Sequence, residues 1–108
     1  MLSGIMCVDP HGTTKKTLAL PDGSFVVLME MANDCRDLPE CEVIHNVYRI
    51  APDGRVLWQI SAPPPVRSRT PFTNIYFTDG RLRAFRFDGY EHDVDPETGE
   101  SVIHDFLK

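Results

Sequence analysis

Apolar and polar positions in this chain change over in short runs, and turn dipeptides cut those runs at regular intervals. Phe25-Val26-Val27-Leu28-Met29 is rich in β-branched and apolar residues and follows a Pro-Asp-Gly turn, which marks a strand rather than a helix continuing through Glu30-Met31-Ala32. No segment holds a 3.6-residue apolar period over three turns, so helix is expected to be minor. Within 74–106 the pattern predicts four strands joined by three tight turns. Asp79-Gly80 and Asp88-Gly89 are hairpin signals, because a type I′ turn needs φ > 0 at both central residues. This reading sets Phe77 opposite Leu82, Ile75 opposite Ala84 and Arg86 opposite Glu91. The third turn, Asp95-Pro96-Glu97-Thr98-Gly99-Glu100, uses proline to preset φ and glycine for the left-handed position.

Two rules conflict at that last turn. The four-residue loop places His92 opposite Ile103, whereas the apolar alternation of Tyr90 and Val94 against Val102 and Phe106 asks for a register one residue away, with His92 facing His104. A slip of one residue exchanges the faces of a strand. The turn is taken as decisive.

Earlier in the chain, Pro21-Asp22-Gly23 separates strands at Lys15–Leu20 and Ser24–Met31. Pro52-Asp53-Gly54 separates Val43–Ile50 from Arg55–Ile60, with Ile50 facing Val56 and Tyr48 facing Trp58, so that these four share one face. Residues 1–14 read as an irregular entry, and Asn33–Glu42 as an acidic loop. The proline-rich segment 61–73, with Pro63-Pro64-Pro65 and Pro71, is unsuited to a sheet interior. It reads as the crossing between a first meander (15–60) and a second (74–106). The expected fold is a single all-β domain of two four-stranded antiparallel meanders, packed as a sandwich or small barrel.

Asn46-Val47-Tyr48 with Asp53-Gly54-Arg55-Val56 echoes Asn74-Ile75-Tyr76 with Asp79-Gly80-Arg81-Leu82, a weak internal repeat. Val47-Tyr48…Asp53-Gly54-Arg55-Val56-Leu57-Trp58 and Tyr90…Asp95-Pro96-Glu97-Thr98-Gly99 resemble blades of the quinoprotein-type (PQQ-like) β-propeller, with its D-x-x-T-G turn and strand-ending tryptophan. The resemblance covers residues 46–60 and 74–104 and implies a twisted four-stranded antiparallel unit. It carries no implication of a quinone. The chain has room for two such units, and no tryptophan follows the second D-x-x-T-G turn.

Composition then narrows the function classes. A chain of 108 residues suits one domain and can bury about 65% of its unfolded surface. A net charge of −5 argues against nucleic acid, whose phosphates call for a basic footprint. The three cysteines do not make a complete disulfide set, which suits a reducing, cytoplasmic setting. Met1–Val8 has neither the length nor the charged flank of a leader or a span, so no membrane association is expected. Cys7-x3-His11, Cys35 and Cys41-x3-His45 hold zinc-ligand residue types. Residues four apart on a strand lie about 13 Å apart, however, and no metal or other cofactor is expected.

Three sets of residues carry the candidate chemistry. Trp58, Tyr76 and Phe72 are the aromatic side chains expected at the rim of any mouth between the sheets, and Arg67, Arg69 and Arg83 would give that surface positive charge. Glu91, His92, Asp93 and His104 form an acid/histidine group suited to general acid–base work, although Asp95 reads as a turn residue. Arg67, Arg69, Arg81, Arg83 and Arg86 oppose the acidic residues of 88–105, and pairing within the sheet is the simpler account of both. Binding of a protein partner or small ligand is therefore expected, with homodimerisation through the apolar edge His104–Leu107 or an exposed sheet face. The alternatives are a small β-barrel enzyme using a His/carboxylate pair, and an acidic inhibitor whose 34–42 loop and 88–100 segment cover a basic target.

Overall fold

The computed structural model describes residues 13–30, 44–64 and 70–106. These form eight strands: β1 (Thr13–Ala19), β2 (Phe25–Glu30), β3 (Val47–Ile50), β4 (Val56–Gln59), β5 (Phe72–Thr78), β6 (Arg81–Arg86), β7 (Tyr90–Val94) and β8 (Ser101–Phe106). Each consecutive set of four makes one antiparallel sheet, in the orders β1-β2-β3-β4 and β5-β6-β7-β8. The domain is all-β, as its short alternating runs require. β1 begins before the expected Lys15, β5 before the expected Asn74, and β3 at Val47 rather than Val43.

The two sheets pack against each other through one core. Val26, Leu28, Val47, Trp58 and Ile60 come from the first half, and Phe72, Ile75, Leu82, Ala84 and Val94 from the second. Polar contacts hold the layers in register. The buried Asn46 side chain donates to Met29 O (2.8 Å) and Phe72 O (2.9 Å) and accepts from Phe72 N (2.9 Å). Trp58 Nε1 and Arg49 Nη1 both donate to Pro96 O, at 2.8 and 2.6 Å. At the neighbouring edge Ser61 N donates to Gly99 O and Ser101 N to Ser61 O, a short parallel bridge joining the first half to β8.

The Asp79-Gly80 hairpin has the expected register, with Phe77 facing Leu82 and Ile75 facing Ala84. Both turn residues have positive φ, 53° and 77°. The Asp88-Gly89 turn differs. Only Gly89 has positive φ (99°), and Gly89 N donates to Arg86 O, so the loop is three residues long. A type I turn closed by a left-handed glycine is the other hairpin open to Asp-Gly. The register moves by one residue, and Glu91 faces Phe85 rather than Arg86.

At the last hairpin both competing rules hold in different places. Near the turn Asp95 N donates to Glu100 O and His92 faces Ile103, as the loop length dictates. Between Glu91 and His92 the register shifts, so that Glu91 faces Asp105 and Tyr90 faces Phe106. The two rings then pack with centroids 4.7 Å apart. His104 is the extra residue of the bulge that makes this exchange.

A second irregularity alters the expected first core. Ile50 faces Val56, but Arg49 faces Trp58 and Tyr48 faces Gln59, leaving Leu57 as the inserted residue. Tyr48 and Trp58 therefore lie on opposite faces, and Gln59 Nε2 donates to the Tyr48 hydroxyl (3.2 Å).

Candidate functional site

The alternation of β6 and β7 sends neighbouring side chains to opposite faces. Ala84 and His92 face the core, whereas Arg83, Glu91 and Asp93 share the outer face of the second sheet. There Arg83 Nη1 meets Glu91 Oε1 at 3.0 Å and Arg83 Nε meets Asp93 Oδ1 at 2.6 Å. The Tyr76 hydroxyl donates to Glu91 Oε2, and Arg81 Nη1 lies 3.9 Å from Asp93 Oδ2. The bulge aims His104 at the same group, its ring nitrogens 3.8 Å from Glu91 Oε1 and Asp93 Oδ2. Burial, helped by the hydrogen bond to Glu91, pushes the Tyr76 phenol up to about 12.

Of the candidate catalytic residues, the structure brings Glu91, Asp93 and His104 together and turns His92 away. His92 is 0% exposed, and neither ring nitrogen has a hydrogen-bond partner. The Phe72 and His92 rings make a T-shaped pair with centroids 5.1 Å apart, and the Arg86 guanidinium lies over the Phe72 ring, 4.7 Å from its centroid. Burial, followed by the nearby Arg86 charge, pushes the imidazole down to about 4. Arg86 Nη1 donates to Pro63 O (2.8 Å), which ties the proline-rich crossing to this buried stack.

The expected ligand-binding set divides in a similar way. Trp58 (4% exposed) and Phe72 (2%) belong to the core, while Tyr76 and Arg83 belong to the outer-face group. Arg67 and Arg69 lie outside the described residues, as do Cys7, His11, Cys35, Cys41, the 34–42 loop and Leu107. Among the described residues, no three His, Cys, Asp or Glu side chains are placed to hold a metal ion, and no helix is long and apolar enough to cross a membrane.

A concavity among these residues lies at one end of the two sheets, where the hairpin turns gather. It is an open cleft of about 910 Å³. One wall is the end of β1 and its turn (Ala19, Leu20, Pro21), and another is the β5–β6 hairpin (Phe77, Gly80, Arg81, Leu82). The third is formed by β7, β8 and their turn (Asp93, Val94, Asp95, Pro96, Glu100, Val102). Leu82 and Val94 are buried and connect its floor to the core, whereas Phe77 and Val102 remain 45% and 63% exposed. Arg81 and Asp93 belong both to the cleft and to the outer-face group.

Comparison with protein families adds one result. The family model described as "Domain of unknown function (DUF7957)" matches residues 13–106. The chain belongs to this family. No curated protein and no solved structure matches it. The matched span of the DUF7957 domain runs from the first residue of β1 to the last of β8, so it takes in both sheets and every cleft wall.

Nothing in the sequence marks Leu20, Pro21, Phe77 and Val102 as the walls of a cleft. The available signal was the turns themselves, since Pro21, Gly80 and Pro96 each stand in a hairpin loop. Hairpins of successive meanders bring those loops to one end, and there a cleft can form.

Proposed function

We propose that this DUF7957 domain acts by binding rather than by catalysis, and that its ligand lies in the cleft at the turn end. The observation carrying this reading is the large exposed area of Phe77, beside the buried Leu82 and Val94, in a cleft floored by core residues. Apolar side chains left exposed around a concavity gain free energy when a ligand covers them. The outer-face group supports the same choice over the enzyme alternative. Glu91 is shared by Arg83 and Tyr76, and Asp93 by Arg83 and Arg81, so each carboxylate already serves a structural partner. A general base needs its lone pair directed at a substrate proton. The blade-like motifs enter this reading only as the shape of the four-stranded unit, and the three cysteines favour a cytoplasmic setting.

A thermal-denaturation screen against small metabolites tests the reading. A compound that raises the Tm of the wild type, with the gain lost in Phe77→Ala, is the expected result. Stabilisation that survives Phe77→Ala together with Val102→Ser would place the ligand elsewhere.

A second reading, homodimerisation along β8, is favoured by Val102, Ile103 and Phe106, all exposed on one edge strand. A dimeric mass in light scattering at high micromolar concentration, reverting to monomer in Ile103→Lys, is expected. A monomeric wild type would rule it out.

A further inference from the structure

We infer that the ligand of the turn-end cleft is a small organic cation, an ammonium or guanidinium group carried on an apolar body, an inference that rests on the cleft being the binding site. The argument begins with which charges around the cleft are already answered. Arg83 and Arg81 are set against Glu91 and Asp93, two guanidinium groups against two carboxylates, with separations of 2.6 to 3.9 Å. That group is neutral as a whole. Asp95 and Glu100, on the third wall, stand outside it. Asp95 Oδ1 accepts only the Glu97 amide (2.9 Å), and no cation of the described residues pairs with either carboxylate.

The cleft therefore combines an apolar floor and walls with two uncompensated negative charges at its rim. Each feature alone would be ordinary for a protein surface. Their juxtaposition in one cleft selects a molecule with an apolar portion to cover Phe77 and a positive end for Asp95 and Glu100. An anion would meet both carboxylates, and its attraction to Arg81 would be offset by Asp93 at 3.9 Å. A volume of about 910 Å³ lies within the range of sites for small molecules.

Trp58 supplies the readout. It is the only tryptophan of the chain, and its Nε1 donates to the carbonyl of Pro96, a cleft residue. Tryptophan emission is to be followed while the intact protein is titrated with phenylbutylammonium, phenylbutanol or phenylbutyrate, which share one apolar body. The ammonium compound should bind about fivefold more tightly than the alcohol, and the carboxylate most weakly. In Asp95→Asn/Glu100→Gln the ammonium and the alcohol should converge, since asparagine keeps the turn-forming side-chain carbonyl. Equal binding of ammonium and alcohol by the wild type would overturn the cation inference while leaving the cleft as a binding site. Failure of all three to bind would overturn both. A preference for ammonium that persists unchanged in the double variant would also overturn the inference, because the charge responsible would then lie elsewhere.

Discussion

The side-chain amide of Asn46 is paired with the backbone of Phe72 in both directions, accepting from its N–H and donating to its C=O at 2.9 Å each. A single residue thus continues the hydrogen bonding of the first sheet into the first strand of the second. Its second donor contact, to Met29 O, fixes it to the end of β2. All of these groups are buried away from competing water, and unmet buried donors and acceptors are costly. Asn46→Ala should destabilise the domain by about 3 kcal/mol in urea unfolding. Asn46→Asp, which loses the donors and buries a charge, should be at least as harmful. A loss below about 1 kcal/mol for Asn46→Ala would contradict this role.

Gly99 is the close-packing point of the last turn. Its φ is +80°, and a Cβ added there would lie 2.6 Å from two atoms of the Trp58 ring, which is buried and held by its bond to Pro96 O. Gly99→Ala combines backbone strain with a steric clash and should cost about 3 kcal/mol. Gly54 has φ +93° but no neighbour within 4 Å, so Gly54→Ala should cost only about 1 kcal/mol. Comparable losses at both positions in denaturant titrations would show that the tryptophan contact has no bearing on Gly99.

His92 makes the fold acid-sensitive. Its ordinary value of 6.5 is pushed down to about 4 in the folded protein, chiefly by burial and then by Arg86. Between these values the unfolded chain binds a proton that the folded protein refuses, so stability falls as pH drops from about 6.5 to 4. The loss attributable to this group is up to about 3 kcal/mol. Unfolding free energies measured across that window should slope less steeply in His92→Leu than in the wild type. Identical slopes would contradict the assignment.

Tyr76 produces the opposite limb. Its phenol is raised from 10 to about 12, so stability present below pH 10 is lost as the pH climbs towards 12, where the unfolded chain ionises first. The difference between spectrophotometric titrations of the wild type and Tyr76→Phe should reveal one phenolate forming near pH 12. A missing component centred near pH 10 would mean that burial and Glu91 do not hold the proton.

Much of the architecture was legible because particular residues restrict the backbone. Asp79-Gly80 and Asp95–Glu100 specify loop length, and the pairings of Ile75 with Ala84 and His92 with Ile103 follow by counting. Asp88-Gly89 was read one residue out because Asp-Gly serves two hairpin types, which differ in whether the aspartate has positive φ. The bulges at Leu57 and His104 had no compositional mark, since any residue can be the inserted one. Their consequences reached the site. The first separated Tyr48 from Trp58, and the second turned His104 towards Glu91 and Asp93.

The inward position of His92 was likewise hidden, because polarity argued for the surface while strand alternation placed it beside Phe72. The cleft was the least legible feature. Its walls come from three turn regions far apart in sequence, and their meeting depends on how the sheets stack. Asn46 and Asn74, equivalent in the internal repeat, show the same limit. Asn46 is buried between the sheets, whereas Asn74 is exposed and accepts from Lys16 Nζ at 3.0 Å.

Amide chemical shifts of the intact protein, recorded by NMR against a library of small fragments, test most directly whether the turn end is the binding surface. Perturbations should converge on Leu20, Phe77, Arg81, Val94 and Val102, with little change at the Phe87–Tyr90 turn at the opposite end. Perturbations centred on that opposite turn, or none at the cleft residues with any fragment, would contradict the account.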